Sequence, residues 1–147
     1  MEKVKKVSKS KQGKLNRASG RRFEVKVRAD LEKMRWIVDK WANTIDLEKG
    51  KLIPAKPKFV FNHQLKRRIP IGISSGFPDF VCFKKTKNGF DVIGLEVKAN
   101  GYLDKIERGM CLWLLENKIF SRILIAKKAE KRGQIDYVDF AEKHNKT

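Results

Sequence analysis

The chain has 147 residues, enough for one domain with a core of its own. An apolar share of 41%, with Leu, Ile, Val, Phe and Trp recurring from residue 23 to residue 140, excludes a disordered chain. No apolar run approaches bilayer length, so no membrane partner is expected. Lys and Arg number 35 against 17 Asp and Glu, a formal charge of +18 that points to a polyanionic partner, most commonly nucleic acid.

Residues 1–20 are expected to form a flexible basic arm: residues 1–22 hold nine Lys or Arg, one acidic residue and almost nothing apolar. The basic N-terminus lacks the apolar stretch of a secretory signal. Residues 21–35 read as a helix with Ser19 as its cap, since Phe23, Val27, Leu31 and Met34 recur at spacings of three and four. Residues 36–41 favour a strand. Residues 43–47 and 51–53 form a hairpin around Lys49–Gly50, limited by Pro54 and Pro57. The rest of the 42–76 stretch has no fixed shape in the pattern. It holds an apolar run at 59–61, then His63 and the basic Lys66, Arg67 and Arg68.

Residues 79–84 and 90–98 are two strands joined by a turn containing Asn88–Gly89. A helix over 103–117 follows, then strands at 121–126 and 135–140, and a polar tail at 141–147. A helix between the hairpin and a later strand implies an α/β fold, a mixed sheet with helices on its faces, spanning one domain over 21–140. Cys82 and Cys111 each sit in an apolar run without CxxC spacing and read as small buried hydrophobes. That fits a reducing, cytoplasmic compartment. Trp36, Trp41 and Trp113 read as core, with Trp41 also a base-stacking candidate.

The chemistry concentrates in the hairpin. Side chains alternate along a strand, so Glu96 and Lys98 point together and Val97 points away. The turn sets Asp79, at the start of one strand, against Glu96 at the end of the other. A lone hairpin-end carboxylate is ordinarily just solvated. Two converging carboxylates repel unless a hard divalent cation neutralises them, and a lysine beside them can hold a water, stabilise charge on phosphorus or, with a depressed pKa, take the proton.

Pro78–Asp79 followed by Glu96–Val97–Lys98 resembles the signature of the PD-(D/E)xK nuclease superfamily. The order of elements over 21–126 is similar to that of archaeal Holliday junction resolvases and virus-type replication-repair nucleases. The resemblance implies a restriction-endonuclease-like mixed sheet flanked by helices. It also implies a Mg²⁺-dependent endodeoxyribonuclease, Mn²⁺ substituting, that acts on branched DNA in recombination or repair as a homodimer. Asp79 and Glu96 would be metal ligands, with Lys98 catalytic. Gly20–Arg21–Arg22–Phe23–Glu24 looks like the resolvase segment that supplies a further acid, which makes Glu24 a candidate third metal ligand and catalytic residue. Glu107 is an auxiliary candidate in the following helix, binding metal-bound water or pairing with Lys105, Arg108 or a neighbouring helix. Tyr102 is a second, packing against substrate or capping that helix. Arg21, Arg22, Lys26, Arg28, Lys66, Arg67 and Arg68 are expected phosphate contacts. The exposed part of residues 113–115 or 119–120 is the expected dimer interface. The long 42–76 insert departs from compact resolvases. The alternatives are a nuclease of the same superfamily cutting duplex, flap or single-stranded DNA, an RNA-binding or RNA-cutting protein, and a nucleic-acid-binding protein that does not cut.

Overall fold

In the computed structural model, which describes residues 8–73 and 76–144, the first element is a 25-residue helix, α1 (Lys9–Lys33). Its cap is Ser8, whose hydroxyl accepts from the Lys11 amide at 3.3 Å, and not Ser19. The segment expected as a flexible arm is therefore helical from Lys9, and residues 1–7 lie outside the described residues. The sequence supplies the reason: Lys, Arg, Gln, Ala and Leu are good helix formers, and they carry the helix through Gly13 and Gly20. Burial starts only at Phe23, with Val27 and Leu31 below it on one stripe.

Strands β1 (Ile37–Lys40), β6 (Phe80–Thr86), β7 (Gly89–Val97), β8 (Ile123–Lys128) and β9 (Ile135–Asp139) form one mixed sheet in the order β1-β6-β7-β8-β9. All neighbours are antiparallel except β7 and β8, which are parallel and joined across α2 (Lys105–Glu116). Between β1 and β6 the chain makes two separate hairpins, β2 (Asn43–Asp46) with β3 (Lys51–Pro54), and β4 (Pro57–Asn62) with β5 (Arg67–Ile73). The first matches the expected turn around Lys49–Gly50. The second gives a shape to the stretch the pattern left open. A five-residue helix, α3 (Phe140–His144), occupies the start of the expected tail, where His144 stacks on Phe140.

Alternation along the central strands divides the core. Phe80, Cys82, Ile93 and Leu95 face α1 and pack with Phe23, Val27 and Leu31. Val81 and its neighbours face the opposite side and pack with Ile45 of β2, Leu103, Cys111, Leu114, Phe120 and Phe140. Each large apolar side chain fully buried this way contributes about 1.5–3 kcal/mol. Cys82 and Cys111 are buried free thiols, and burial raises both to about 12. Of the stretches 113–115 and 119–120, Leu114 and Phe120 are interior residues, which leaves Trp113, Leu115 and Ile119 as their partly exposed part. Trp36, Trp41 and Trp113 are partly buried against the two clusters, with Trp41 edge-on to Phe120 at 5.2 Å. Among the described residues no helix is long and apolar enough to cross a membrane.

The approach to β6 is tight. The Gly76 amide donates to Trp41 O, Phe77 N donates to Asn43 O, and the Phe77–Pro78 peptide is cis. A Cβ on Gly76 would lie 2.3 Å from Asn43 O and 2.4 Å from Trp41 O, both backbone atoms that cannot swing aside. Gly76→Ala should therefore destabilise the fold by about 3 kcal/mol, at the upper end of overpacking costs, read as a lowered midpoint in chemical denaturation.

Candidate active site

The β6–β7 ladder ends at the Phe80–Leu95 pair, and the next pair outward is Asp79 with Glu96. There the side chains take over the backbone bonding. The Val97 amide donates to Asp79 Oδ2 at 2.9 Å, and the Asp79 amide donates to Glu96 Oε2 at 3.0 Å. Both carboxylates are buried, Asp79 8% and Glu96 6% exposed. Their remaining oxygens, Asp79 Oδ1 and Glu96 Oε1, make no hydrogen bond among the described residues.

Such burial disfavours charge. Asp79 is pushed up to about 6, first by burial and then by Glu24, against the Val97 amide, Lys40 and Lys98. Glu96 is pushed up to about 9, by burial, by Asp79 and by Glu107, against Lys98 and the Asp79 amide.

Lys98 lies one residue beyond the end of β7. Its amide donates to Ala126 O of β8, and the chain then turns through Gly101, whose φ of 73° suits glycine. The turn leads to Asp104, which caps α2 and exchanges hydrogen bonds with Glu107 in a capping box. That box fixes Glu107 on the first turn of α2, where it meets Lys98: Lys98 Nζ to Glu107 Oε2 is 2.6 Å. Glu107 thus pairs with Lys98, and not with Lys105, Arg108 or another helix. Burial opposes the charge on Lys98, but the Glu107 bond and the charges of Glu107, Glu96 and Asp79 outweigh it and raise the ammonium above its ordinary value. Tyr102 neither caps α2 nor packs on the core. Its ring is exposed.

Glu24, on α1, is close enough to Asp79 to raise it. Its carboxylate is held by Lys40 at 3.1 Å, and Lys40 also sits 5.2 Å over the Phe80 ring. Lys40 is the site residue that sequence reading missed. Its position at the site follows only from the pairing of Lys40 with Phe80, which the hydrophobic pattern does not reveal.

The expected phosphate contacts divide. Arg21, Arg22 and Lys26 are exposed. Arg28 is not free for substrate, since it pairs with Glu32 at 3.0 Å and donates to Val38 O at 2.8 Å. Lys66 in the turn and Arg67 and Arg68 at the start of β5 are exposed, on a β4–β5 hairpin that pairs with no strand of the main sheet. Arg68 stacks over Phe59, and His63 meets Phe61 edge-on.

Two adjacent buried carboxylates, each with one oxygen tied to a backbone amide, form an oxygen donor set that suits a hard divalent cation. Among the described residues no three His, Cys, Asp or Glu side chains form a ready cage. Asp79 and Glu96 would therefore hold such an ion together with waters, the habit of Mg²⁺.

The raised Glu96 value has a consequence for stability. Its folded pKa lies above the unfolded one, so the folded state keeps a proton that the unfolded state releases. Stability from this group is complete below about pH 4.5 and falls as pH rises toward 9. Without divalent ions, Glu96→Gln should remove this slope and raise stability at pH 8 by about 1–3 kcal/mol, measured as the difference between wild-type and variant melting curves across pH.

The chain matches no protein-family model, no curated protein and no solved structure.

Proposed function

We propose that the chain is a metal-dependent endodeoxyribonuclease of the PD-(D/E)xK kind, with a restriction-endonuclease-like fold and a preference for branched DNA. The observation that supports this most is the reciprocal bonding of Asp79 and Glu96 at one sheet edge, with Lys98 next along the same strand. The five-stranded mixed sheet, with its antiparallel β6–β7 pair and parallel β7–β8 crossover through α2, agrees with the element order on which the resemblance rests.

Asp79 and Glu96 would hold Mg²⁺, or Mn²⁺ in its place, which supplies a Lewis acid for the phosphate and lowers the pKa of a bound water. Their burial leaves them short of counter-charge, which a cation would supply on displacing the proton that Glu96 holds. Lys98, kept protonated by Glu107, acts as a fixed positive charge beside the phosphate and not as the general base. Glu107 positions that ammonium. Glu24 enters the site only if Lys40 releases it, and Lys40 is then free to meet a phosphate. Matched cuts in two strands call for two copies of the chain, so a homodimer accompanies the branched-DNA preference.

The test is Mg²⁺-dependent cleavage of a labelled panel: four-way junction, flap, linear duplex, single-stranded DNA and RNA. Wild type should cut the junction symmetrically. Lys98→Ala should bind it normally and lose about 10²–10³ in rate, the usual loss for a removed charge-stabilising group. Cutting of another DNA keeps the nuclease and discards the branched preference, and cutting of RNA alone discards DNA as substrate. Salt-sensitive binding with no cleavage in Mg²⁺ or Mn²⁺ overturns the enzyme in favour of a binding protein.

A further inference from the structure

A recess of about 360 Å³ lies between α1 and the β8–β9 turn, floored by Phe23 and edged by Ser19. Four cationic side chains line it: Arg22 and Lys26 from the helix, Lys128 and Arg132 from the end of β8 and the turn. No acidic side chain lines it, and none of the four pairs with a carboxylate among the described residues. Of the nearby acids on the helix, Glu24 is held by Lys40 at 3.1 Å and Asp30, one turn beyond Lys26, is taken by the Tyr137 hydroxyl at 2.6 Å. Arg22 and Lys26 are one helical turn apart and share a side of α1. Lys128 is folded inward, its ammonium 5.7 Å from the Phe23 ring centre. Four like charges gathered about one concavity repel each other, and an anion relieves that repulsion.

The position of the recess indicates which anion. β7 ends at Val97 and β8, parallel beside it, ends at Lys128, so both open on the same sheet edge. The Lys128 amide donates to Ala99 O, which ties the rim of the recess to the residue after Lys98. Adjacent strands lie about 4.8 Å apart, so the recess begins roughly one strand along the same end of the sheet, on the α1 face, whereas Asp79 and Glu96 point to the other face, and a strand reaching both passes round that end. Glu24 leaves α1 on the opposite flank, toward Lys40 of β1.

The geometry points to a phosphate-backbone site in this recess, which takes the nucleic-acid strand on the β8–β9 side of Asp79 and Glu96. Lys128 and Arg132 are contacts that the sequence did not single out, and Arg22 and Lys26 act with them as one site. Four cations about one recess fit recognition of phosphates, which carry no sequence information, and not of bases. The assignment of the strand's course rests on the nuclease reading, whereas the phosphate binding itself does not.

The experiment measures binding of the full chain to a short blunt DNA duplex and to a four-way junction in EDTA, across a salt series. Lys128→Gln/Arg132→Gln and, separately, Arg22→Gln/Lys26→Gln are compared with Lys85→Gln/Lys87→Gln. The last pair removes the same charge from the opposite edge of the sheet. Each recess pair should flatten the plot of log affinity against log salt by about 1.8, at about 0.9 per phosphate contact, while the control pair leaves the slope as in wild type. Equal slopes in all three, or no salt-sensitive binding by wild type, overturn the recess. Parallel cleavage assays in Mg²⁺ separate the two readings. Cleavage with equal slopes leaves the nuclease and removes the recess, and flattened slopes without cleavage do the reverse.

Discussion

Two hydrogen bonds hold the candidate site of this protein in register. Asp79 takes the amide of Val97 and Glu96 takes the amide of Asp79, so each carboxylate bonds to the other's strand. The bonds replace the ladder where it stops, and they keep two groups that repel each other at fixed positions. Their geometry depends on everything around them. The Gly76 and Phe77 amides and the Asp79 carbonyl bond to the backbone of residues 41–43, and β8 pairs with the last residues of β7. A slip of one residue between β6 and β7 would turn Asp79 or Glu96 toward the apolar face under α1. Register and site are therefore one constraint.

That constraint carries an energetic cost. A carboxyl 6% exposed, with a second carboxyl beside it, is held far from its ordinary titration. The apolar packing on both sides of the sheet offsets this, and Glu107 offsets part of it indirectly by fixing a cation nearby. The protein is strongly basic, yet its candidate site is a local concentration of acid: Glu24, Asp79, Glu96 and Glu107, answered by Lys40 and Lys98. Burying that acid is destabilising taken alone, and the nearby cations offset only part of the cost. The proposed cation and polyanion would each complement one half of this charge pattern.

The sequence made the central architecture legible because its signals there are local. The Asn88–Gly89 turn, the alternation through 90–98 and the helical stripe of 23, 27 and 31 each determine an element without distant help. Asp79, Glu96 and Lys98 follow from the hairpin alone. What failed depended on other forces. The N-terminal extension of α1 rests on propensity and a cap at Ser8, with no apolar stripe to betray it. The β4–β5 hairpin carries Pro57, Pro70 and exposed apolar residues on both strands, so it shows no clean alternation. The roles of Lys40 and Glu107 depend on pairing and capping across elements, which spacing along the chain does not encode.

The uneven burial of α1 divides the molecule into two kinds of order. From Phe23 onward the helix is anchored in a core that opens only when the whole domain opens. From Lys9 to Arg22 it has no buried residue, and its hydrogen bonds stand in water among cations that repel one another. That half spans about 21 Å, at 1.5 Å per residue, and can unwind turn by turn without disturbing the sheet. The exposed half of the helix is thus open to the ions around it in a way that the half packed in the core is not.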